Sequence, residues 1–405
     1  MKIVVVGAGA REHALATVLA KWHEVIVTPG NDLIARDVPV TPLGPLHWNP
    51  DLAVIGPEAP LVDGLADELR ARGIPVLGPG KDGALLEGSK AFLKEVLADA
   101  GVATAGFGTA TGLDRAIELL DSFGPPYVVK TDGLAAGKGV LVTTDRQAAI
   151  EDVKAKLSGA AFGEAGTRVV IEQGLFGQEV SVFALTNGRD FVLLPSARDH
   201  KRLFDGDLGP NTGGMGAVSP VPGLGEADLG VVADTIIEPT IAELRRRGID
   251  YRGVLYAGLM MTPDGPRVIE YNVRLGDPEA EAVLPLVESD LGEAFLAAAL
   301  GEPLPPIAIR DAAAATVVMA ARGYPAAPAA GDPIAGIESL SYLEDLYVFG
   351  AGVRREGSSM VTAGGRVLAV TAIAPTLEIA RDNAYRAVSR IGFDGAQVRS
   401  DIGSS

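Results

Sequence analysis

The sequence predicts an α/β protein of about three domains, and three observations support that fold class. Its 405 residues exceed what one hydrophobic core usually serves. Residues 1–101 alternate strand and helix patterns, which indicates a doubly wound, Rossmann-like, mostly parallel sheet. Further along, strands follow one another across glycine-rich turns, and a strand-rich α+β segment begins near residue 309.

We place the domain boundaries where these patterns change. The first domain takes residues 1–101 and the last takes residues 309–405. Between them lies a domain in two parts. The larger subdomain takes residues 102–122 and 187–308, and the smaller one takes residues 123–186.

Composition and charge exclude several classes of function. The chain has no cysteine, which excludes disulfides, thiolate catalysis and thiolate metal sites. Its four histidines argue against a multi-histidine zinc site. The formal charge of −17 argues against nucleic-acid binding, which needs a basic face. Screening over about 10 Å still lets local basic side chains dominate inside a cleft.

Hydropathy predicts a protein that does not cross a membrane. No apolar run reaches the roughly 18 residues that a spanning helix needs. The N-terminal MKIVVVGAGA has an apolar run of only four residues before glycine, which predicts a buried strand and not a signal peptide. We therefore expect a soluble, cytoplasmic protein that is a monomer or a weak dimer.

Short apolar runs define the strands of the first domain. Ile3–Val6 precedes a turn at Gly7–Gly9 and a predicted helix at Glu12–Trp22. The further predicted elements are strands Val25–Thr28, Leu52–Ile55 and Pro75–Leu77 and a helix at Leu61–Arg72. Such sheets bind ligands at the carboxyl ends of their strands, so the loops GAGARE, PGN and GPE are the candidates.

The first of these loops is an incomplete dinucleotide motif. G-x-G-x-x-G requires a third glycine, and Glu12 stands there. After the second strand, where an acidic residue would hold a ribose, the chain reads Thr28-Pro29-Gly30-Asn31. A phosphate or phosphosugar at the start of the helix is favoured, because backbone N–H groups and the helix dipole attract anions and Arg11 would add charge. The alternative for Arg11 and Glu12 is a solvated first turn, and His13 is either a packed core residue or a ligand.

The segment YVVKTDGLAAGKGVLVT, residues 127–143, predicts two strands joined by a glycine-rich flap. Helices are predicted before it at Gly83–Leu97 and Asp114–Phe123. The flap is not a P-loop, because only three residues separate Gly133 from Gly137 and a strand follows it instead of a helix.

The flap carries candidate phosphate contacts. Gly137 and Gly139 allow close backbone approach, and Lys138 adds charge to a mobile lid. Lys130 lies in a strand among apolar neighbours, where it would be costly unless paired with an anion. The alternatives are an ordinary flexible hairpin and a solvated edge lysine.

Two glutamates follow on the next predicted strands. RVVIEQ ends in Glu172 and Gln173, and GLFGQEVSVF after it carries Leu175 and Glu179. Glu172 and Glu179 are candidates for an adenine-side contact and a ribose hydroxyl contact. Each of them alone would more often be surface charge.

Residues 196–220, SARDHKRLFDGDLGPNTGGMGAVSP, form a long polar segment rich in glycine. Loops of this length in a compact chain are usually functional or disordered. The cluster Asp199-His200-Lys201-Arg202 precedes successive free amides at residues 211–216, an arrangement that suits a small anionic substrate. A disordered surface loop is the alternative.

The stretch RVIEYNVRLGDPEAE, residues 267–281, carries the most informative pattern. It follows a predicted helix at Leu229–Arg247 and a predicted strand at Val254–Met261. A period of two puts Ile269, Tyr271 and Val273 on the core face and Val268, Glu270, Asn272 and Arg274 on the other.

The polar face of this strand suits a divalent cation. Glu270 and Asn272 are hard oxygen ligands for Mg²⁺ that keeps several waters and binds substrate phosphates. Arg274 would hold an anion or stabilise charge that develops on a transferring phosphoryl or acyl group. The alternative is an edge strand with a solvated polar face.

The last third of the chain carries little recognisable chemistry. A helix is predicted at Leu284–Leu300 and a linker at residues 301–306. The further predicted elements are strands Thr316–Ala320, Tyr347–Phe349 and Arg366–Ala372 and a helix at Thr376–Ile391. Gly364-Gly365-Arg366 is interpreted as a turn before a strand.

Three features now occur together: a strand lysine with a glycine flap, a pair of strand glutamates, and an E-x-N-x-R strand after a hairpin. Together they resemble the ATP-grasp superfamily, in which ATP is held between a small lid subdomain and a larger one. The resemblance is closer still to the glycinamide ribonucleotide synthetase (phosphoribosylamine–glycine ligase) family. The motifs that carry it, in order along nearly the whole chain, are GAGAREHA, PGN, VIGPEAPLVDG, LEGSKAF, KTDGLAAGKGV, DHKRLFDGDLGPNTGGMGA, LYAGLM and VIEYNVRLGDPE.

The resemblance implies a pre-ATP-grasp first domain, a two-part ATP-grasp fold with a small lid, and a C-terminal α+β domain. It implies ATP binding by Lys130, Gly137, Lys138, Gly139, Glu172, Gln173, Leu175 and Glu179. It implies Mg²⁺ or Mn²⁺ at Glu270 and Asn272, and a reacting centre with Arg274, Asp277 and Lys138. The implied substrate residues are Gly9, Arg11, Asn31, Glu58, Asp199, Lys201, Asn211, Thr212, Gly213, Gly214, Met215, Arg274 and Gly276.

The implied activity is the ATP-dependent ligation of glycine to 5-phosphoribosylamine through glycyl phosphate, a step of purine biosynthesis. The partners are then small molecules, with no nucleic acid or membrane. Two departures from the family pattern are visible. The segment between Asn31 and Asp51 is short, which would alter the rim of the first domain, and the chain stops at Ser405 where family members usually continue, which would leave the C-terminal edge less anchored.

Three alternatives remain at this point. One is another ATP-grasp carboxylate–amine ligase or carboxylase that acts on a ribonucleotide of the same pathway. The second is a nicotinamide dehydrogenase built on the first domain. The third is a non-catalytic nucleotide-binding module, against which the intact Lys130, Glu270, Asn272 and Arg274 argue.

Overall fold

Four parallel strands form the first sheet, because short apolar runs buried on both faces suit parallel pairing. The computed structural model describes residues 1–133, 139–159, 168–340 and 343–404. The strand order is Glu24–Pro29, Lys2–Gly7, Leu52–Ile55, Val76–Leu77. The predicted doubly wound sheet is confirmed.

Seven helical segments accompany this sheet within the described residues. They are Ala10–Leu19, Ile34–Asp37, the 3₁₀ turn Pro45–His47, Glu58–Asp63, Leu65–Ala71, Lys81–Gly88 and Lys90–Asp99.

Two helices that were predicted as continuous are broken. The helix at Leu61–Arg72 is wrong, because Gly64 adopts φ 95° and separates two shorter helices. The helix at Gly83–Leu97 is also wrong. Ser89 is extended there, and its hydroxyl accepts a hydrogen bond from Phe92 N at 3.2 Å to cap the second helix.

A small antiparallel sheet forms the second unit. Its order is Phe107–Ala110, Val169–Gln173, Tyr127–Thr131, Val140–Thr143, with helices Leu113–Phe123 and Arg146–Leu157 against it. The unit therefore begins near residue 107 and not at the expected boundary of 123, because helix Leu113–Phe123 shares its apolar core. It also ends before residue 186, because strand Gln178–Thr186 pairs in the next sheet.

The third unit is built on an antiparallel sheet of four strands. Their order is Phe191–Leu193, Gln178–Thr186, Gly253–Thr262, Gly265–Asn272. Its helical segments are Glu226–Val232, the π-helical turn Ala233–Ile237, Glu238–Arg246, Glu279–Val283, the 3₁₀ turn Leu284–Leu286 and Leu291–Leu300. The predicted continuous helix at Leu284–Leu300 is therefore wrong over residues 287–290, which separate the 3₁₀ turn from the α-helix.

Strand Gly265–Asn272, hereafter the acidic strand, does not keep a strict period of two. A bulge sets Glu270 opposite Gly258 but Val268 opposite the next residue, Leu259. Val268, Tyr271 and Val273 are consequently fully buried, whereas Ile269 lines the cleft described below. The prediction that Ile269 faces the core and Val268 faces away from it is wrong.

The fourth unit is an α+β layer, as predicted from residue 309 onward. Its main sheet has the order Arg198–Asp199, Gly216–Ser219, Ala313–Ala320, Arg366–Ala374, Leu346–Gly350. Its other elements are strands Pro333–Ile334, Ser359–Thr362 and Val353–Glu356, the 3₁₀ turn Ile337–Leu340 and helix Leu377–Val388. Two of the main strands come from residues 196–220, so that segment is anchored in this sheet and is not a disordered loop.

The remainder of residues 196–220 is also ordered. Strands Arg202–Phe204 and Leu208–Asn211 form a hairpin around the 3₁₀ turn Asp205–Asp207. The C-terminal residues pack on this hairpin: Ser400 N donates to Asp205 Oδ1 at 2.8 Å, and Ile402 is fully buried. The expectation of a weakly anchored C-terminal edge is therefore wrong over the described residues.

His13 and Asn31 join the first unit to the last. His13 Nδ1 accepts from Gly350 N at 2.9 Å, and Asn31 Nδ2 donates to Gly350 O at 2.8 Å. His13 is buried, so its interpretation as a packed core residue is confirmed. No helix in the described parts of the chain has the length and apolar character needed to pass through a membrane.

Candidate active site

A cleft of about 1050 Å³ opens where the four units meet. Its walls include Val142 of the second unit, Glu58 of the first, Glu270 of the third and Arg366 of the fourth. Of the residues predicted for the site, those that line this cleft are Arg11, Glu58, Lys130, Gly139, Glu172, Gln173, Leu175, Glu179, Asp199, Lys201, Asn211, Thr212, Gly213, Glu270, Asn272, Arg274, Gly276 and Asp277.

Four predicted residues within the described parts of the chain do not line the cleft. Met215 is fully buried against Leu203 and Ala320. Gly214, at φ 111°, supports the wall, since a Cβ there would lie 2.6 Å from Asp199 Oδ1. Gly9 and Asn31 do not line the cleft either.

Asn31 has structural partners for both ends of its side-chain amide. Its Oδ1 accepts from Leu33 N and Ile34 N at 2.9 Å each, and its Nδ2 donates to Ala8 O at 2.8 Å in addition to Gly350 O. The side chain therefore holds the PGN loop and the fourth unit together. A substrate role for Asn31 stays a prediction.

The flap is described only at its edges. Gly137 and Lys138 lie outside the described residues. Gly139 follows them, and its carbonyl accepts from Thr131 N at 2.9 Å. This contact begins the pairing of strands Tyr127–Thr131 and Val140–Thr143 beside the cleft.

Lys130 and Glu172 face the cleft from the second unit as a buried ion pair. Lys130 Nζ lies 3.0 Å from Glu172 Oε1 and donates to Ile269 O at 3.1 Å. Burial raises the pKa of Glu172, but the charges of Lys130 and Lys94 outweigh burial and hold it below its ordinary value. The carbonyl of the bulge residue Ile269 thus links this pair directly to the acidic strand.

Glu270 and Asn272 both line the cleft from the acidic strand. Lys201 Nζ lies 3.7 Å from Glu270 Oε1, and Lys90 Nζ lies 3.9 Å from Glu270 Oε2. Burial raises the pKa of Glu270, but the charges of Lys201, Lys90 and Lys130 outweigh it and lower the pKa to about 2. Glu270 is therefore an ionised carboxylate at neutral pH.

This donor set suits Mg²⁺ or Mn²⁺ of the kind that binds phosphates. Among the described residues, no three His, Asp or Glu side chains are grouped to hold a metal. One carboxylate and one amide oxygen are nevertheless what Mg²⁺ uses when substrate phosphates and water supply its other ligands. Two ammonium groups, those of Lys90 and Lys201, already lie within 4 Å of Glu270, so a metal ion at this carboxylate would have to displace them.

Arg274 ties the acidic strand to the first unit. Its Nη2 donates to Glu87 Oε1 at 2.6 Å and its Nε to Glu58 Oε2 at 3.2 Å. Its Nη1 donates to Leu275 O at 3.2 Å. Burial opposes the charge on Arg274, but Glu87 and Glu58 outweigh it and raise the pKa of the guanidinium above its ordinary value.

The start of the first helix differs from the prediction. Glu12 turns back over it, so Gly9 N donates to Glu12 Oε2 at 2.6 Å, and Arg11 Nε donates to Glu12 Oε1 at 2.6 Å. A Cβ at Gly7 or Gly56 would collide with the Glu12 side chain. The N–H of Gly9 is therefore not free at the helix start where a phosphate is expected, and a substrate role for Gly9 stays a prediction.

Several cleft residues were missed from sequence. Lys90 and Glu87 lie in the quoted motif LEGSKAF, so that motif was the available signal for them. Glu279 lies in VIEYNVRLGDPE in the same way. The predicted turn at residues 364–366 before a strand is confirmed, since Gly364 and Gly365 form a bend and the strand begins at Arg366, but the contacts of the Arg366 side chain were missed. Its Nη1 donates to Gly213 O at 2.6 Å and to Asp277 O at 2.8 Å, and its Nη2 lies 3.1 Å from Asp277 Oδ1.

Comparison with known families accounts for nearly the whole chain. Residues 1–87 match the N domain of phosphoribosylglycinamide synthetase, residues 88–280 its ATP-grasp (A) domain, and residues 314–405 its C domain. A phosphoribosylamine–glycine ligase of Streptomyces coelicolor is 47% identical over 419 residues, which cover 99% of this chain and 98% of that protein.

Solved structures agree with the family models. The crystal structure of a phosphoribosylamine–glycine ligase from Thermotoga maritima superimposes with a TM-score of 0.86 at 38% identity, covering 99% of this chain and all of that one. The biotin carboxylase domain of 2-oxoglutarate carboxylase from Hydrogenobacter thermophilus, solved with MgADP, ADP and bicarbonate, has a TM-score of 0.75. At 15% identity, over 98% of this chain and 91% of that one, it shows the shared fold alone. Because the family models match three successive domains and the relatives match over their full lengths, this chain belongs to the phosphoribosylglycinamide synthetase family, with an ATP-grasp domain at its centre.

Proposed function

We propose that this protein ligates glycine to 5-phosphoribosylamine at the expense of ATP, giving glycinamide ribonucleotide, ADP and phosphate. One observation carries the proposal: a single cleft brings Lys130 and Glu172 of the second unit opposite Glu270, Asn272 and Arg274 of the third. Family membership and the full-length relatives named phosphoribosylamine–glycine ligase support the choice of substrates.

In the first step, a carboxylate oxygen of glycine attacks the γ-phosphorus of ATP, and the bond from that phosphorus to the bridging oxygen breaks to release ADP. Lys130 is suited to hold the phosphate chain, because its ammonium lies on the cleft wall between Glu172 and the acidic strand. Mg²⁺ or Mn²⁺ held by Glu270 and Asn272 would supply charge neutralisation of the phosphate oxygens. The other side chains orient the reactants and exclude water.

In the second step, the amino group of phosphoribosylamine attacks the carbonyl carbon of glycyl phosphate. An amide bond forms, the phosphate leaves, and the nitrogen loses one proton. Three cations, Lys201, Arg274 and Arg366, line the same cleft as Asp277. They are suited to neutralise the developing oxyanion and the departing phosphate. The enzyme forms no covalent bond to either substrate in this scheme.

We infer that the second unit is the lid. It is connected to the rest of the chain at residues 104–107 and 173–178, and it carries the cleft residues Lys130, Glu172 and Gly139. Lys138 and Gly137 belong to the same unit in sequence, and their phosphate contacts stay predictions. Closure of such a unit would protect the acyl phosphate from hydrolysis.

One coupled assay tests this proposal. ADP release is followed with ATP and Mg²⁺ present while glycine or phosphoribosylamine is omitted in turn, and bicarbonate or formate replaces glycine in parallel. We expect ADP release that depends on glycine, and amide product only when both substrates are present. ADP release that follows bicarbonate and ignores glycine would establish the alternative, a carboxylase of the same superfamily.

The remaining expectations from sequence stay predictions. They are the cytoplasmic location, the monomeric or weakly dimeric state, and the independence from nucleic acid and membrane. Size-exclusion chromatography with light scattering would measure the oligomeric state directly.

A further inference from the structure

Glu87 is a buried acid whose two carboxylate oxygens bind consecutive residues of another unit. It lies in helix Lys81–Gly88 of the first unit, and only 5% of the residue is exposed. Its Oε1 accepts from Arg274 Nη2 at 2.6 Å, and its Oε2 accepts from Val273 N at 2.9 Å. One side chain therefore fixes the backbone at residue 273 and the guanidinium of the next residue.

The position of Glu87 is unfavourable for an acid in two respects. The residue stands in the last turn of its helix, where the helix dipole disfavours negative charge. Burial raises the pKa of Glu87 above its ordinary value, and the charge of Arg274 offsets burial only in part. A contribution to stability therefore does not account for this carboxylate, which indicates a role in the cleft.

The backbone that Glu87 holds lies directly after the proposed metal ligands. The acidic strand ends at Asn272, and the next residue, Val273, is fully buried. The hydrogen bond from Val273 N to Glu87 fixes the point from which the side chain of Arg274 departs. Because a displacement of about 1 Å in a positioning group can lower a rate strongly, this anchor matters for the guanidinium.

The guanidinium of Arg274 is held at all three of its nitrogens. Besides the bond from Nη2 to Glu87, its Nε donates to Glu58 Oε2 and its Nη1 to Leu275 O, at 3.2 Å each. Glu58 is the looser carboxylate partner, since 29% of its side chain is exposed compared with 6% for Glu87. The second N–H on each terminal nitrogen has no acceptor among the described residues, so both are available to a ligand in the cleft that Arg274 lines.

We propose that Glu87 is a positioning residue for Arg274: it fixes the direction of the guanidinium, so that the remaining N–H groups meet the developing oxyanion or the departing phosphate. The inference rests on the proposed function, because that reaction brings these negative charges into the cleft. Without Glu87, the guanidinium would keep only Glu58 and the carbonyl of Leu275, and it would adopt several orientations. Glu87 acts through Arg274 and not by contact with the reacting atoms.

Glu87→Gln tests this role, because the variant keeps the shape but has one carbonyl oxygen for two N–H groups. We expect kcat to fall by about tenfold, while the KM for ATP changes by less than about threefold. Urea titration should show that the variant is fully folded under the assay conditions. An unchanged kcat would overturn the proposal.

A double-mutant cycle separates positioning from a merely structural role. Arg274→Met removes the guanidinium and should lower kcat by about a hundredfold or more. If Glu87 acts through Arg274, adding Glu87→Gln to this variant should change kcat by less than about threefold. A further fall of about tenfold would mean that the two residues act independently, and would overturn the proposal. Single-turnover measurements with enzyme in excess keep these slow rates measurable.

Glu243→Gln is the matched control for Glu87→Gln. Glu243 is also a buried glutamate on a helix, and its Oε2 accepts from Arg246 Nε and its Oε1 from Arg247 Nε at 2.6 Å each. It is not one of the residues that line the cleft, so its substitution should leave kcat and every KM unchanged. Equal falls in kcat in the two variants would show a general effect of losing a buried carboxylate, and would contradict a specific role for Glu87.

Failure of the proposed function would be recognised separately. A wild type that releases ADP with bicarbonate and without glycine would overturn that function. The same four proteins of the cycle, compared with the substrate that is turned over, would still show whether residues 87 and 274 act together.

Discussion

Lys94 Nζ lies 3.2 Å from Glu172 Oε1, and both side chains are buried although they come from different units of the chain. Lys130 Nζ lies 3.0 Å from the same oxygen, so one carboxylate lies between two ammonium groups. Lys94 also donates to Thr104 Oγ1 at 2.7 Å, and that hydroxyl donates to Val268 O at 2.7 Å. This network joins the second unit to the acidic strand and carries a net positive charge beside the cleft.

We predict that Lys94→Met weakens ATP binding. Without Lys94, Glu172 keeps only Lys130 as a partner, and Lys130 becomes less available to a phosphate. The KM for ATP should rise by about three- to tenfold, while the KM for glycine changes less. Steady-state kinetics of ADP release measures both values.

Lys156→Met is the matched control for this change. Lys156, on helix Arg146–Leu157 of the second unit, is also a buried lysine, but its carboxylate partner is Asp152 and not the cleft residue Glu172. Its substitution should leave the KM for ATP unchanged. Equal losses in the two variants would mean that the unit is simply destabilised, and would contradict a specific role for Lys94.

We predict a pH-dependent contribution of Lys94 to stability. Burial lowers the pKa of Lys94 to about 8, against the attraction of Glu172, from an ordinary value of 10.5. Between these values the folded protein has released the proton that the unfolded chain still binds, so stability rises with pH. Below pH 8 both states hold the proton and the contribution is constant.

The measurement is the free energy of unfolding of the wild type minus that of Lys94→Met, obtained from urea titrations at several pH values. This difference should increase by up to about 3 kcal/mol between pH 8 and pH 10.5. A difference that stays constant or falls with pH across this window would show that Lys94 keeps its proton in the folded protein.

We predict that Glu270→Ala abolishes most of the metal-dependent turnover. The variant loses the carboxylate of the proposed metal pair, so kcat/KM for ATP should fall by about a hundredfold or more, equivalent to about 2.7 kcal/mol. Asn272→Asp keeps an oxygen ligand and adds charge, and it should lower the Mg²⁺ concentration needed for half-maximal rate. ADP release across a Mg²⁺ titration measures both effects.

Asp264→Ala is the control for Glu270→Ala, because it removes an exposed acid from the turn of the same hairpin. It should behave as the wild type. Near-normal turnover of Glu270→Ala at ordinary Mg²⁺ concentration would show that the metal assignment is wrong.

Local patterns in the sequence were sufficient for most strands and for the chemistry that they carry. The apolar runs at Ile3–Val6 and Leu52–Ile55 and the polar alternation around Glu270 depend only on neighbours along the chain. The breaks at Gly64 and Ser89 were not predicted, because helical periodicity continues across both residues while the backbone does not. The bulge beside Val268 was not predicted either, because it arises from pairing with Gly258 and Leu259 on the neighbouring strand.

Local sequence patterns could not predict contacts between residues that are far apart along the chain. Arg366 contacts Gly213 and Asp277 because two strands from residues 196–220 pair into the main sheet of the fourth unit. Lys94 meets Glu172 across two units, and the spacing of these residues along the chain gives no sign of it. The sequence shows that Glu12 departs from the dinucleotide motif. The hydrogen bond that its carboxylate accepts from Gly9 N depends on the side-chain conformation, which a sequence pattern does not specify.

We predict that His13 serves stability and not catalysis. Its ring connects Asp37 Oδ2, at 2.9 Å from Nε2, with Gly350 N, at 2.9 Å from Nδ1. His13→Phe keeps the ring and its edge contact with Phe349 but loses both hydrogen bonds, which should lower the free energy of unfolding by about 1–3 kcal/mol. The KM values for ATP, glycine and phosphoribosylamine should stay within about twofold of the wild type. A large rise in one KM at unchanged stability would instead make His13 a ligand.

We predict that Arg366→Lys weakens the binding of glycine or of phosphoribosylamine. The guanidinium reaches Gly213 O, Asp277 O and Asp277 Oδ1 at once, and a lysine ammonium cannot reproduce that planar set of contacts. The loops at Gly213 and Asp277 would then separate, and the KM for glycine or phosphoribosylamine should rise by about tenfold or more while the KM for ATP changes little. Arg354→Lys, an exposed arginine of the same unit, should have no effect on either substrate. A uniform fall in kcat with every KM unchanged would instead place Arg366 in the chemical step, with no role in holding the two loops.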